Sequence, residues 1–107
     1  MRRFALLSLA VVVAILFSAP LYAQDKAAEG QKLFQQEKCG MCHMPTGKNS
    51  LEGVGSKLTA DQIREWIVNP KEAASKAKQK PPMMTSFSKL SKDQVDALVA
   101  YLETKKK

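Results

Sequence analysis

The sequence predicts an all-α domain of three main helices joined by long loops. Three observations carry that prediction. The capping boxes Thr59-Ala-Asp-Gln62 and Ser91-Lys-Asp-Gln94 each open a segment with helical spacing of apolar residues. Pro70 and the pair Pro81-Pro82 supply stops between them. No stretch alternates apolar and polar residues with β-branched enrichment, so no strand is expected. At 107 residues the chain holds one small domain, and its two cysteines exclude a disulfide-dense scaffold. A core of that size is marginal alone and usually leans on disulfides, a metal or another partner.

Residues 1–23 form a separate unit. Arg2 and Arg3 precede an apolar run from Phe4 to Phe17 that only Ser8 interrupts, and Ser18-Ala-Pro-Leu-Tyr-Ala23 follows as a processing region. This is the pattern of an export signal, which leaves 24–107 as a domain working in the periplasm or its equivalent. The alternative is an uncleaved anchor, because Phe4 to Ala23 approaches the ~20 residues that span a bilayer. The leader holds two of the 17 basic residues and none of the 10 acidic ones, so 24–107 carries a net charge of about +5.

The first helix is expected from Asp25 to Lys38, with Asp25 as N-cap and Ala27, Gly30, Leu33 and Phe34 at helical spacing. A glycine inside a helix costs about 1 kcal/mol relative to alanine, so Gly30 points to a close approach by another element. Gly40 to Lys57 holds four of the five glycines together with Pro45, Asn49 and Ser50, and reads as a loop long enough to wrap something. The second helix should run from Thr59 to about Asn69, with Leu58 and Ile63 as a hydrophobic staple. Residues 71–80 carry Ala73, Ala74, Ala77 and four lysines with no apolar stripe, which suits a solvated helix or a loop. In the last helix Leu90 and Val95 form the staple, and Val95, Leu98, Val99 and Leu102 form one stripe.

Both cysteines and the only histidine fall within Cys39-Gly-Met-Cys42-His43. C-x-x-C-H is the pattern of covalent haem attachment. Two thiols a helical turn apart add to vinyl groups on one porphyrin edge, and the adjacent imidazole then reaches the iron. A dithiol redox site would normally follow a strand, and none is predicted. Zinc on Cys39, Cys42 and His43 lacks a fourth Cys or His. A structural disulfide here would close a very short loop and stabilise little. With a single histidine, the other axial ligand must be sought among the methionines. Met1 leaves with the leader, Met41 lies between the cysteines and Met44 adjoins His43, so Met83 and Met84 remain, with lysine or water as the fallback. Core filling is the ordinary alternative for such a pair.

Further motifs extend the pattern along the chain. Gly30-x-x-x-Phe34 precedes Cys39, and Glu65-Trp66-Ile67-Val68-Asn69-Pro70, Met84-x-x-Phe87 and Leu98-Val-Ala-Tyr101-Leu102 follow it. In this order they resemble the small class I c-type cytochromes from about Ala27 to Glu103. The resemblance implies the cytochrome c fold, with three main helices around one covalent haem c held through Cys39 and Cys42. It sets Gly30 and Phe34 against Leu98 and Tyr101, and Trp66 near the axial methionine. It selects Met84 over Met83, because the family's ligand stands three residues before an aromatic, although Thr85 replaces the usual proline. In the wrap, the family's proline carbonyl accepts a hydrogen bond from the proximal histidine. Here Asn49 stands in that place, and its carbonyl inherits the role.

With His43 and Met84 both on the iron, no site is left for a substrate. The expected function is therefore outer-sphere, one-electron transfer by a monomeric carrier, not an enzyme. Its partners would be a redox donor and acceptor with acidic docking surfaces, met by Lys48, Lys57, Lys76, Lys78, Lys80 and Lys89 around the haem edge. Nucleic acid is not expected, since no basic motif interleaved with aromatics is present, and membrane contact is expected only if the leader stays attached. The alternatives are a haem enzyme or gas-binding protein with an open sixth site, a membrane-tethered redox subunit of a respiratory or dehydrogenase complex, and a zinc module.

Overall fold

The computed structural model describes residues 24–106, and every regular element among them is helical. The leader at 1–23 and Lys107 at the end of the basic tail lie outside the described residues. Residues 24–36 form α1, followed by a 3-10 turn at Cys39–Met41. Then come α2 (Val54–Lys57), α3 (Ala60–Val68), α4 (Pro70–Lys76) and α5 (Lys92–Glu103).

Both capping boxes form as the sequence requires. Thr59 Oγ1 accepts from the Gln62 N–H at 3.2 Å, and Gln62 Oε1 accepts from the Thr59 N–H at 2.9 Å. Ser91 and Gln94 repeat this exchange at 3.1 and 2.9 Å. Two orphan donors are thereby satisfied at the head of each helix. Ile63 and Val95 are buried, with Leu58 and Leu90 packed against the core beside them.

That core joins Leu33 of α1, Ile63 and Ile67 of α3, and Val95, Ala97, Leu98, Val99 and Leu102 of α5. Gly30 is where α1 crosses α5. A Cβ there would lie 1.9 Å from the Ala97 carbonyl oxygen and 2.8 Å from Tyr101 Cβ, so only glycine lets the two backbones meet. One turn on, Phe34 packs edge-on against Tyr101 with ring centroids 5.4 Å apart. The residue facing Gly30 is thus Ala97 rather than Leu98, whose side chain turns into the core instead. Arg64 of α3 and Lys92 of α5 both bind the Asp96 carboxylate, the lysine at 2.9 Å.

The helix map departs from the sequence reading in three places. Asp25 lies within α1 and does not cap it. The glycine-rich wrap contains the helical turn α2, whose Gly55 N–H donates to the Lys105 carbonyl at 2.9 Å and so ties the wrap to the end of α5. Finally, α4 packs on α3 and buries Pro70, Ala73 and Ala74. Pro70 ends one helix and, with its fixed φ, begins the next. Alanines suffice for this contact because the two helices approach closely, so no large apolar stripe is needed. No helix among the described residues is long and apolar enough to cross a membrane.

Candidate functional site

Six segments converge on one cleft with about 790 Å³ of empty space, its open mouth included. Phe34 comes from the end of α1 and Glu37 from the turn just after it, and Leu51, Val54 and Leu58 come from the wrap. Ile63, Trp66 and Ile67 form one stripe of α3, while Leu98 and Leu102 belong to the stripe of α5. Cys39, His43, Met84 and Phe87 complete the lining. Glu37 brings the one carboxylate into this wall.

Local backbone structure sets out the Cys-x-x-Cys-His segment. Lys38 takes a left-handed conformation with φ 58°, which ends α1 and turns the chain into the 3-10 turn. The Cys42 and His43 N–H groups then both donate to the Cys39 carbonyl, at 3.3 and 2.9 Å. Cys39 lines the cleft, whereas Cys42 is exposed and outside the lining. Burial pushes the Cys39 thiol upward, and the negative charge of Glu37 adds to that shift. Both thiols are free. Among the described residues no cluster of three or more His, Cys, Asp or Glu side chains is placed to hold a metal ion.

His43 Nδ1 lies 2.8 Å from the Asn49 backbone oxygen. A carbonyl has no proton to give, so Nδ1–H is the donor, and a neutral His43 keeps its lone pair on Nε2. Asn49 contributes its backbone alone to this contact. Ser50 steadies the same loop, its hydroxyl donating to the Pro45 carbonyl at 2.9 Å and accepting from the Glu52 N–H at 3.2 Å.

The methionines separate clearly. Met83 is fully exposed at 101%, and Met41 and Met44 are exposed at 74% and 56%. Met84 alone of the four lines the cleft, together with Trp66. The cleft thus brings together Cys39, His43, Trp66 and Met84 and leaves Cys42 outside its wall. Glu37 and Phe87 also line it. Their nearness to Cys39 and Met84 in sequence was the available signal for them.

These residues fit a flat, largely apolar iron macrocycle. An apolar slot of this volume accepts the ring, an unprotonated imidazole nitrogen and a thioether suit iron, and Cys39 stands at the wall to anchor an edge. No significant match is found among curated proteins or among solved structures. The model of the family described as Cytochrome c matches residues 27–106, from α1 to the end of the described chain. The chain therefore belongs to the cytochrome c family and binds one haem c through Cys39 and Cys42 for electron transfer.

Proposed function

We propose that the protein is an exported one-electron carrier whose haem iron is held between His43 and Met84. The observation that carries this reading is the division of the methionines: Met84 lines the cleft that His43 also lines, while Met83 is fully exposed. When bound, haem c supplies a ferric/ferrous couple that exchanges one electron at a time.

The chain's own residues determine how that couple behaves. The Asn49 carbonyl fixes the ring of His43 through Nδ1–H and raises the basicity of Nε2, the nitrogen offered to iron. Met84 would offer its thioether to the iron from the same cleft and so compete with peroxide or a diatomic gas. Trp66, Ile63, Ile67, Leu98 and Leu102 make the cleft apolar and would keep water from a bound haem, favouring the less charged ferrous state. Glu37 works in the opposite direction, since its carboxylate in the same wall favours the ferric charge.

Lys48, Lys57, Lys78, Lys80 and Lys89 are exposed and suit an acidic redox partner, giving an exchange rate that falls as salt rises. Lys76 is engaged with Glu65 at 2.7 Å. The leader at 1–23 directs the domain to the periplasm. Its removal gives a free carrier, and its retention a tethered one.

Carbon monoxide tests the ligand set. The ferrous wild-type protein should leave the gas unbound, Met84→Ala should take it up with a shift of the main visible band, and Met83→Ala should behave as wild type. A Met84→Ala protein that still excludes the gas rejects the assignment.

A further inference from the structure

The segment that carries Met84 has almost no structure of its own. Between α4 and α5, residues 77–91 form no regular element. This strap alternates along its length, with Met83 out, Met84 inward, Thr85 and Ser86 exposed, and Phe87 inward. Two hydrogen bonds join it to α3. The Phe87 N–H donates to the Ile67 carbonyl at 3.0 Å, and the Ser86 hydroxyl donates to the Val68 carbonyl. Ser86 Oγ also accepts from the Ser88 N–H at 3.3 Å, closing a small turn behind Met84.

The acceptors are available because they lie in the last turn of α3. The last carbonyls of any helix lack partners within it, and α3 ends at Val68. Asn69 donates to Glu65 at 2.7 Å, but Pro70 has no N–H to continue the ladder, and the chain turns away into α4. The carbonyls of Ile67 and Val68 are therefore left for the strap. Trp66 on the same helical turn lines the cleft beside Met84, so the helix end that anchors the strap also supplies part of the wall it faces.

We propose that Ser86 is the positioning residue for Met84, its hydroxyl on the Val68 carbonyl supplying a second restraint on the strap. This rests on Met84 being the iron ligand. The backbone bond of Phe87 fixes one point of the strap, and the Ser86 bond fixes a second. Two points define the direction in which Met84 leaves the chain, and one does not. Losing the Ser86 hydroxyl raises the fraction of molecules in which Met84 is off the iron. An external ligand that competes for that position then gains apparent affinity in proportion to the fraction.

The test is titration of the ferric holoprotein with imidazole, followed by its visible spectrum. Ser86→Ala is expected to bind imidazole about threefold to fivefold more tightly than wild type, the equivalent of one net hydrogen bond. Ser86→Thr keeps the hydroxyl and should return to the wild-type affinity. Met84→Ala, with no competitor, should bind more tightly than any of them. Ser86 is exposed, so its truncation leaves the core intact, and unchanged far-ultraviolet helicity verifies this. Wild-type affinity in Ser86→Ala, or equal tightening in Ser86→Thr, overturns the positioning role while Met84→Ala still shows ligation. Unchanged affinity in Met84→Ala overturns the ligand reading itself.

Discussion

The α1–α5 crossing and the Met84 strap are built on different physics. At the crossing, Gly30 lies against the Ala97 backbone, Phe34 meets Tyr101 edge-on, and Leu33, Leu98 and Leu102 are buried beside them. That region is held by many short-range apolar contacts, each weak and together large. The strap buries little, and two hydrogen bonds tie it to the end of α3. The scaffold that carries the covalent attachment is thus the stiff part, and the segment that offers Met84 is the loose part. Stability and ligation should respond to different substitutions.

The largest effect is expected at the crossing. Gly30→Ala forces a Cβ to within 1.9 Å of a backbone carbonyl, which no side-chain rotation relieves. Even after the gain of about 1 kcal/mol in helix propensity, a loss of about 3 kcal/mol is expected. For a domain of this size that is a fall of roughly 15 °C in the melting temperature. A calorimetric midpoint within a few degrees of wild type would show that the crossing has slack.

The next prediction separates the two regions in one protein. In a denaturant titration of the ferric holoprotein, the charge-transfer band between methionine and iron should fade before far-ultraviolet helicity is lost, because the strap opens locally while the helices persist. Coincident transitions would mean that strap and scaffold form a single cooperative unit.

The smallest effect is expected at the surface link between α3 and α5. Hydrogen bonds from Lys92 and then from Arg64 hold the Asp96 carboxyl below the usual carboxylate range. Its stabilisation is therefore fully present above the ordinary carboxylate pKa and disappears as pH falls through the depressed value. Asp96→Asn should lower stability modestly near neutrality and should match wild type in strong acid. High salt should narrow the neutral gap, since Lys92 is 84% exposed. A difference that persists in strong acid would assign the loss to something other than the ionised carboxylate.

What the sequence made legible follows the same division. Thr59, Gln62, Ser91 and Gln94 announce their helices because a capping box is local, involving four consecutive residues. Gly30 could be read as a close contact because a glycine in a helical stripe needs a reason. The extent of α4 was hidden by its C-terminus, where Lys78, and not glycine, takes the left-handed position at φ 55°. The Lys78 and Gln79 N–H groups donate back to Ser75 and Ala74 at 3.1 and 2.9 Å, completing the stop without the residue that usually marks it. Ser86 was equally hidden, since its acceptor is a carbonyl 18 positions away, at the end of α3. The hydrogen bond from His43 to Asn49 was anticipated by family resemblance; position 49 shows no marker of it, because a backbone carbonyl leaves no trace in residue type.

The most direct measurement is the visible spectrum of the exported wild-type protein, produced with haem-attachment machinery, recorded ferric and ferrous and again after denaturation. A low-spin, methionine-ligated ferric spectrum whose colour stays with the unfolded chain is the expected result for covalent haem between His43 and Met84. A high-spin ferric spectrum, or colour that separates from the chain, would contradict it.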